Sequence, residues 1–187
     1  MKAWVQVVAV LMIVCLHESA SAQTSDPGRE LVDLFADMCF SRFPDDAALT
    51  EGAAKRQLAA MSQDQVKRYL HSDPGHGWLL KTADGLYAIT IEDPPYHACA
   101  VRRFYGTMPN FQLPYQSQLS AWAAKNHIGP LTSFPPQSQV ENGYSIHADM
   151  KGVTGPDGKP QQLFMEIVTT YTGGQIEVRL VRQIPQK

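Results

Sequence analysis

The chain predicts an α+β domain, and three observations carry that prediction. Apolar residues recur at helical spacing from 26 to about 70, alternating segments separated by Gly- and Pro-containing turns follow, and one helical stretch interrupts them. Helices that precede strands, rather than alternating with them, call for an antiparallel sheet instead of a parallel one. The expected architecture is one sheet of roughly five to seven strands, made of two β-meanders. The N-terminal helices and the inserted helix would pack on one face of it.

Asp26-Pro27 opens the first helix, with Asp as cap and Pro at the first helical position. Leu31, Leu34, Phe35, Met38 and Cys39 then share one face, which buries Cys39, and Pro44 ends the helix. Asp45 and Asp46 cap a second, Ala-rich segment reaching Leu58, where Gly52 leaves open one helix or two short ones. Ser62-Gln63-Asp64-Gln65 is a capping box for a short helix with Val66, Tyr69 and Leu70. After the turn Ser72-Asp73-Pro74-Gly75, strands are expected over 78–82 and 85–92, joined through Ala83-Asp84-Gly85.

Asp93-Pro94-Pro95 breaks the second strand. A third over 96–104 puts His97, Cys99, Val101 and Arg103 on one face, and Tyr96, Ala98, Ala100, Arg102 and Phe104 on the other. A helix over 114–125 carries Leu119, Trp122 and Ala123 and stops at Gly129; the stretch through Pro135-Pro136 reads as a loop. Three last strands, over 143–153, 162–171 and 175–184, are joined by Gly155-Pro156-Asp157-Gly158 and Thr172-Gly173-Gly174.

Ahead of this domain, Lys2, the apolar run 3–16 and Ala20-Ser21-Ala22 have the order of a secretory signal peptide, with cleavage after Ala22. The run is too short for a transmembrane anchor, which needs about twenty apolar residues, and Gln6 interrupts it. Cys15 follows Val14 rather than the small residue that lipid attachment favours, so cleavage is the better reading. Removing 22 of the 187 residues leaves 165, enough for a single domain over 23–187 with a full core. Lys2 and Glu18 cancel, so the remainder keeps the net charge of −2. No basic run exceeds a pair such as Arg102-Arg103, of a kind that usually sits on a solvated strand or helix face, and nucleic-acid binding is not expected.

Beyond the leader only Cys39 and Cys99 remain, and an oxidising compartment would join them. Closing that loop is worth on the order of 4 kcal/mol in the chain-entropy picture. The five histidines outside the leader (His71, His76, His97, His127, His147) form neither H-x-x-x-H nor H-E-x-x-H. His97 and Cys99 share a strand face and would suit a soft metal, or a thiol–imidazole pair, only if Cys99 were free. No G-x-S-x-G elbow is present, and Ser62 and Ser72 serve as cap and turn. Asp45-Asp46 and Glu92-Asp93 pair carboxylates at a helix start and a strand end. Neither Gly75-His76-Gly77 nor Gly173-Gly174 precedes a helix as a phosphate loop must, so no cofactor is called for.

One polar face stands out. Ser145, His147, Asp149 and Lys151 alternate with apolar neighbours, and Glu166, Glu177 and Arg179 are expected near them. His147, Asp149 and Lys151 form the candidate binding face, with His147 as its one group that switches charge near neutral pH.

The run Phe35-Ala36-Asp37-Met38-Cys39, followed by Phe43-Pro44 and a lone second cysteine at Cys99, resembles small exported proteins of proteobacteria. The resemblance implies a periplasmic or secreted protein with one disulfide, and it brings no activity. The function expected is therefore a non-catalytic domain that binds an envelope protein or a small ligand. The alternatives are a periplasmic hydrolase whose residues converge only in three dimensions, or a metal-handling protein.

Overall fold

Residues 26–185 are described by the computed structural model, so the expected leader and the cleavage expected after Ala22 lie outside the described residues. Asp26 caps α1 (Pro27–Phe35), its carboxylate accepting from the Gly28 amide at 2.9 Å. The chain then widens into a π-helical turn, Ala36–Phe40, that keeps Met38, Cys39 and Phe40 buried. Asp45 caps α2 (Asp46–Lys55), which runs through Gly52 as one helix and stops before Leu58. Arg42 crosses Gly52, so a Cβ at that position would displace the Arg42 side chain. Arg42 in turn donates to Asp37 at 3.0 Å and to the Ala48 carbonyl at 3.3 Å. The two-residue strand β1 (Ala59–Ala60) leads to α3 (Gln63–Leu70), whose Ser62/Gln65 capping box forms as expected.

The strands β2 (Gly75–Thr82), β3 (Gly85–Glu92) and β4 (Ala98–Tyr105) precede α4 (Gln112–Lys125). After it come β5 (Thr132–Glu141), β6 (Tyr144–Thr154), β7 (Pro160–Tyr171) and β8 (Ile176–Gln183). All eight join one antiparallel sheet in the order β1-β2-β3-β4-β8-β7-β6-β5. The sheet exceeds the expected strand number for two reasons. β1 is too short to show any period, and the Pro135-Pro136 stretch is a strand rather than a loop. β5 is the terminal strand, and the prolines fall in a bulge between Phe134 and Gln137, where a missing N–H costs no ladder bond.

Strand register sorts the side chains onto two faces. Ile89, Val101, Leu180 and Phe164 point to one, where they pack with Leu31, Phe35 and Phe40 of the first helical layer and with Tyr115 and Leu119 of α4. α3 departs from the expectation of one covered face: Tyr69 and Leu70 border the opposite side, beside Ala98 and Ala100. His97 also departs. It precedes β4 with a φ of 41° and sets its ring edge-on to Phe43, 4.8 Å between centroids.

The core is tied where β4 meets β8. Cys99 and Arg182 are register partners, and both hold Cys39. Cys99 does so through the Cys39–Cys99 disulfide, with Cα atoms 5.5 Å apart. Arg182 donates from Nη1 to the carbonyls of Cys39 at 2.9 Å and Phe43 at 2.7 Å, and from Nη2 to Gln162 at 2.9 Å. These bonds satisfy carbonyls that the end of the helical turn would otherwise bury unpaired. Trp122 of α4 covers the guanidinium at 4.8 Å and donates its own indole N–H to the Phe40 carbonyl at 3.0 Å. A second tie runs from α1, where Glu30 accepts from the Tyr87 hydroxyl at 2.5 Å and Arg103 donates to that same hydroxyl.

Arg182→Met keeps the stem and removes the donors. We expect it to lower stability to urea by about 3 kcal/mol, because buried carbonyls lose charged partners. Arg29→Met, which breaks only an exposed i,i+4 pair, should cost about 0.5 kcal/mol or less. Similar losses for the two variants would contradict the role given to Arg182.

Candidate functional site

β6 turns Ser145, His147, Asp149 and Lys151 to the helix-covered face of the sheet, beyond the reach of the main core. The cross-strand partners of Asp149 and His147 there are Glu166 and Val168 on β7, and Ser138 on β5 stands opposite His147. The imidazole is held on both sides: Nδ1 lies 2.9 Å from Ser138 Oγ and Nε2 lies 3.2 Å from Asp149 Oδ2. A carboxylate only accepts, so Nε2 carries the proton and Nδ1 accepts from the serine hydroxyl in the neutral ring. Ser138 has no motif around it, and only strand pairing brings it to His147. His147 and Asp149 are each about half exposed, at 50% and 49%.

Next to this array a cleft of about 200 Å³ separates α4 from the sheet. Asp149, Lys151 and Glu166 line one wall, with Tyr115 and Gln116 of α4 opposite. Glu166 is 7% exposed, and its carboxyl is pushed up to about 7, first by burial and then by Asp149, against the pull of Lys151. The buried Tyr115 hydroxyl has no hydrogen-bond partner among the described residues.

Glu177 and Arg179, expected beside His147, are instead on the opposite face, because their register partners are Thr169 and Ile167. The pairing of His97 with Cys99 does not form either. The sulfur is spent in the disulfide and His97 is outside the strand, which removes both the soft-metal and the thiolate readings of that pair.

The opposite face holds the stronger site. Ala98 and Ala100 of β4 and Val181 of β8 leave a low floor, bordered by Met165 and Ile167 of β7 and roofed by Tyr69 at the end of α3. Two adjoining hollows of about 210 and 280 Å³ run along it and share Tyr69, His71, Arg102 and Arg179. Arg102 and Arg179 are direct register partners on β4 and β8, so two like charges face each other across the strand pair. Arg102 is 7% exposed, and the Arg102-Arg103 pair is therefore not a solvated face: its members alternate to opposite sides and both are buried.

The partners of Arg102 are distant, with Glu177 Oε1 at 3.6 Å and Thr90 Oγ1 at 3.5 Å, while the Tyr69 ring centroid lies 5.2 Å from its guanidinium carbon. The Nε atoms of both Arg102 and Arg179 are buried without a hydrogen-bond partner among the described residues. Burial, and then the charge of Arg179, pull the Arg102 guanidinium down to about 10, which leaves it charged at neutral pH. Near the far end of the groove, burial and the neighbouring Asp73 push the Glu92 carboxyl up. The signal for this site in the sequence was small: Ala98-x-Ala100-x-Arg102, alternating against an apolar face.

Comparison of the chain with family models, with curated proteins and with solved structures finds no match.

The raised Glu166 carboxyl makes stability pH-dependent in a stated direction. An unfolded Glu near 4.5 releases its proton before the folded one near 7, so stability is lost as pH rises between them. Glu166→Gln should flatten that fall and make the protein roughly 2 kcal/mol more stable than the parent at pH 8, measured by urea unfolding at pH 5 and pH 8. Parallel pH profiles for parent and variant would contradict it.

Proposed function

We propose that this chain is an exported, non-catalytic binding domain that takes a small ligand in the groove between α3 and the open face of the sheet. The observation that supports it most is Arg102. A buried guanidinium set directly opposite a second arginine, with only long contacts and an unpartnered Nε, is costly for a fold that has no use for it. Aromatic walls and a floor of small residues beside a few convergent polar groups are the usual make-up of a small-molecule site. The secretory leader and the Cys39–Cys99 bond favour a periplasmic or secreted setting.

A fragment collection screened by thermal shift tests the groove. Compounds that raise the melting temperature should lose their effect with Ala100→Phe or Ile167→Trp, which fill the groove, and keep it with His147→Ala/Asp149→Ala. The reverse pattern would move the site to the His147, Asp149 and Lys151 face.

A second reading has its own observation. Ser138, His147 and Asp149 are connected as nucleophile, base and orienting carboxylate, the order a hydrolase uses. Half-exposed groups beyond the edge of the helical layer are well screened by water, which weakens the electrostatic help such a triad needs. Turnover of p-nitrophenyl acetate by the parent protein, abolished equally by Ser138→Ala and His147→Ala, would establish this reading. Hydrolysis at the buffer rate would remove it.

A further inference from the structure

We propose that the groove ligand is an amphiphilic carboxylate, its anionic head seated between Arg102 and Arg179 and its apolar body lying over Ala98, Ala100 and Val181. The inference rests on the groove reading and adds the ligand's chemistry to it. Register places the two guanidinium groups side by side where the two hollows meet. Each keeps an unpartnered, buried Nε–H, and an arginine fork is shaped to give two parallel N–H bonds to one carboxylate.

Arg182 shows what a satisfied guanidinium looks like in this protein, donating to two main-chain carbonyls at 2.9 and 2.7 Å and to Gln162. Arg103, whose Nε is also buried without a partner among the described residues, still donates from both terminal nitrogens, to Tyr87 and to the Asp84 carbonyl. Arg102 has no contact of that quality. Its one ion pair, Glu177, is shared with the Tyr171 hydroxyl at 3.0 Å and leaves the second arginine unneutralised.

The charges bordering the two hollows are Arg68 and Asp73 around α3, Glu92 of β3, Arg102 of β4, and Glu177 and Arg179 of β8. His71 lines both hollows as well. Asp73 and Glu92 sit together, and Glu92 pairs in register with Ala98, two ladder positions beyond Ala100 and four from Arg102. An anion is therefore drawn to the arginine end of the groove and kept from the carboxylate end. Between the two ends the floor is Ala98, Ala100, Val181, Met165 and Ile167, all apolar, and this stretch selects the body. The 210 Å³ hollow is of the size of a short acyl or single-ring body rather than a folded peptide.

Isothermal titration of the protein with sodium octanoate, sodium acetate and octan-1-ol separates head from body. Octanoate should bind more tightly than either of the others. Arg179→Gln and Arg102→Gln should weaken octanoate about ten-fold or more and leave octanol unchanged. Arg179 is the more exposed of the two, so its variant keeps the test valid if Arg102→Gln fails to fold by circular dichroism. Octanoate bound equally well by the folded arginine variants, yet lost on Ala100→Phe, would overturn the carboxylate assignment while leaving the groove in place. Octanoate still bound by both Ala100→Phe and Ile167→Trp would overturn the groove as well. No octanoate binding by the parent protein would overturn the ligand class, and the fragment screen then judges the groove alone.

Discussion

Arg182 and Cys99 stand opposite each other on β8 and β4, and both take hold of Cys39, one through its carbonyl and the other through its sulfur. The rest of the domain is arranged around that grip. β4 and β8 are the middle strands of the sheet, and their pairing joins its two groups of four strands. Fixing the π-helical turn to this pair fixes α1, and through Trp122 it also positions α4. The disulfide narrows the unfolded ensemble, while Arg182 removes the penalty for burying the turn's last carbonyls. These are separate contributions acting on one residue, so neither bond replaces the other.

The same two strands carry the groove on their other side. Alternation along β4 sends Cys99, Val101 and Arg103 to the core, and Ala98, Ala100 and Arg102 to the open face. Alternation along β8 does the same with Leu180 and Arg182 against Arg179 and Val181. A strand pair clamped by a disulfide and a buried arginine network is a rigid base, and rigidity is what a pair of like charges needs if it is to stay close before a ligand arrives. The fold then supplies the energy that holds Arg102 and Arg179 together, and an anion would relieve part of it.

Much of the architecture was legible in the sequence because its signals are local. The Asp26-Pro27 start, the Ser62/Gln65 capping box, and the Gly-containing turn that sets the start of β3 at Gly85 all depend on residues a few positions apart. The disulfide was legible because residues 23–187 hold only two cysteines. β5 was hidden, since two prolines normally argue against a strand and only its place at the sheet edge tolerates them. The site was hidden for a different reason. His147 with Asp149 and Lys151 is a local alternation and could be read directly, whereas Ser138 and Glu166 reach them through strand pairing. Arg102 and Arg179 are 77 positions apart, and no short-range pattern says that β4 lies against β8.

The central claim is that the β4–β8 pair presents two incompletely partnered guanidinium groups, Arg102 and Arg179, to a ligand on one face while spending Arg103 and Arg182 on the core. Arginine Nε–Hε resonances of ¹⁵N-labelled protein, followed during titration with octanoate, test it most directly. The account predicts that the Arg102 and Arg179 signals move together to saturation and that the Arg182 signal stays in place. Stationary Arg102 and Arg179 signals, or a shift confined to residues around His147, would contradict it.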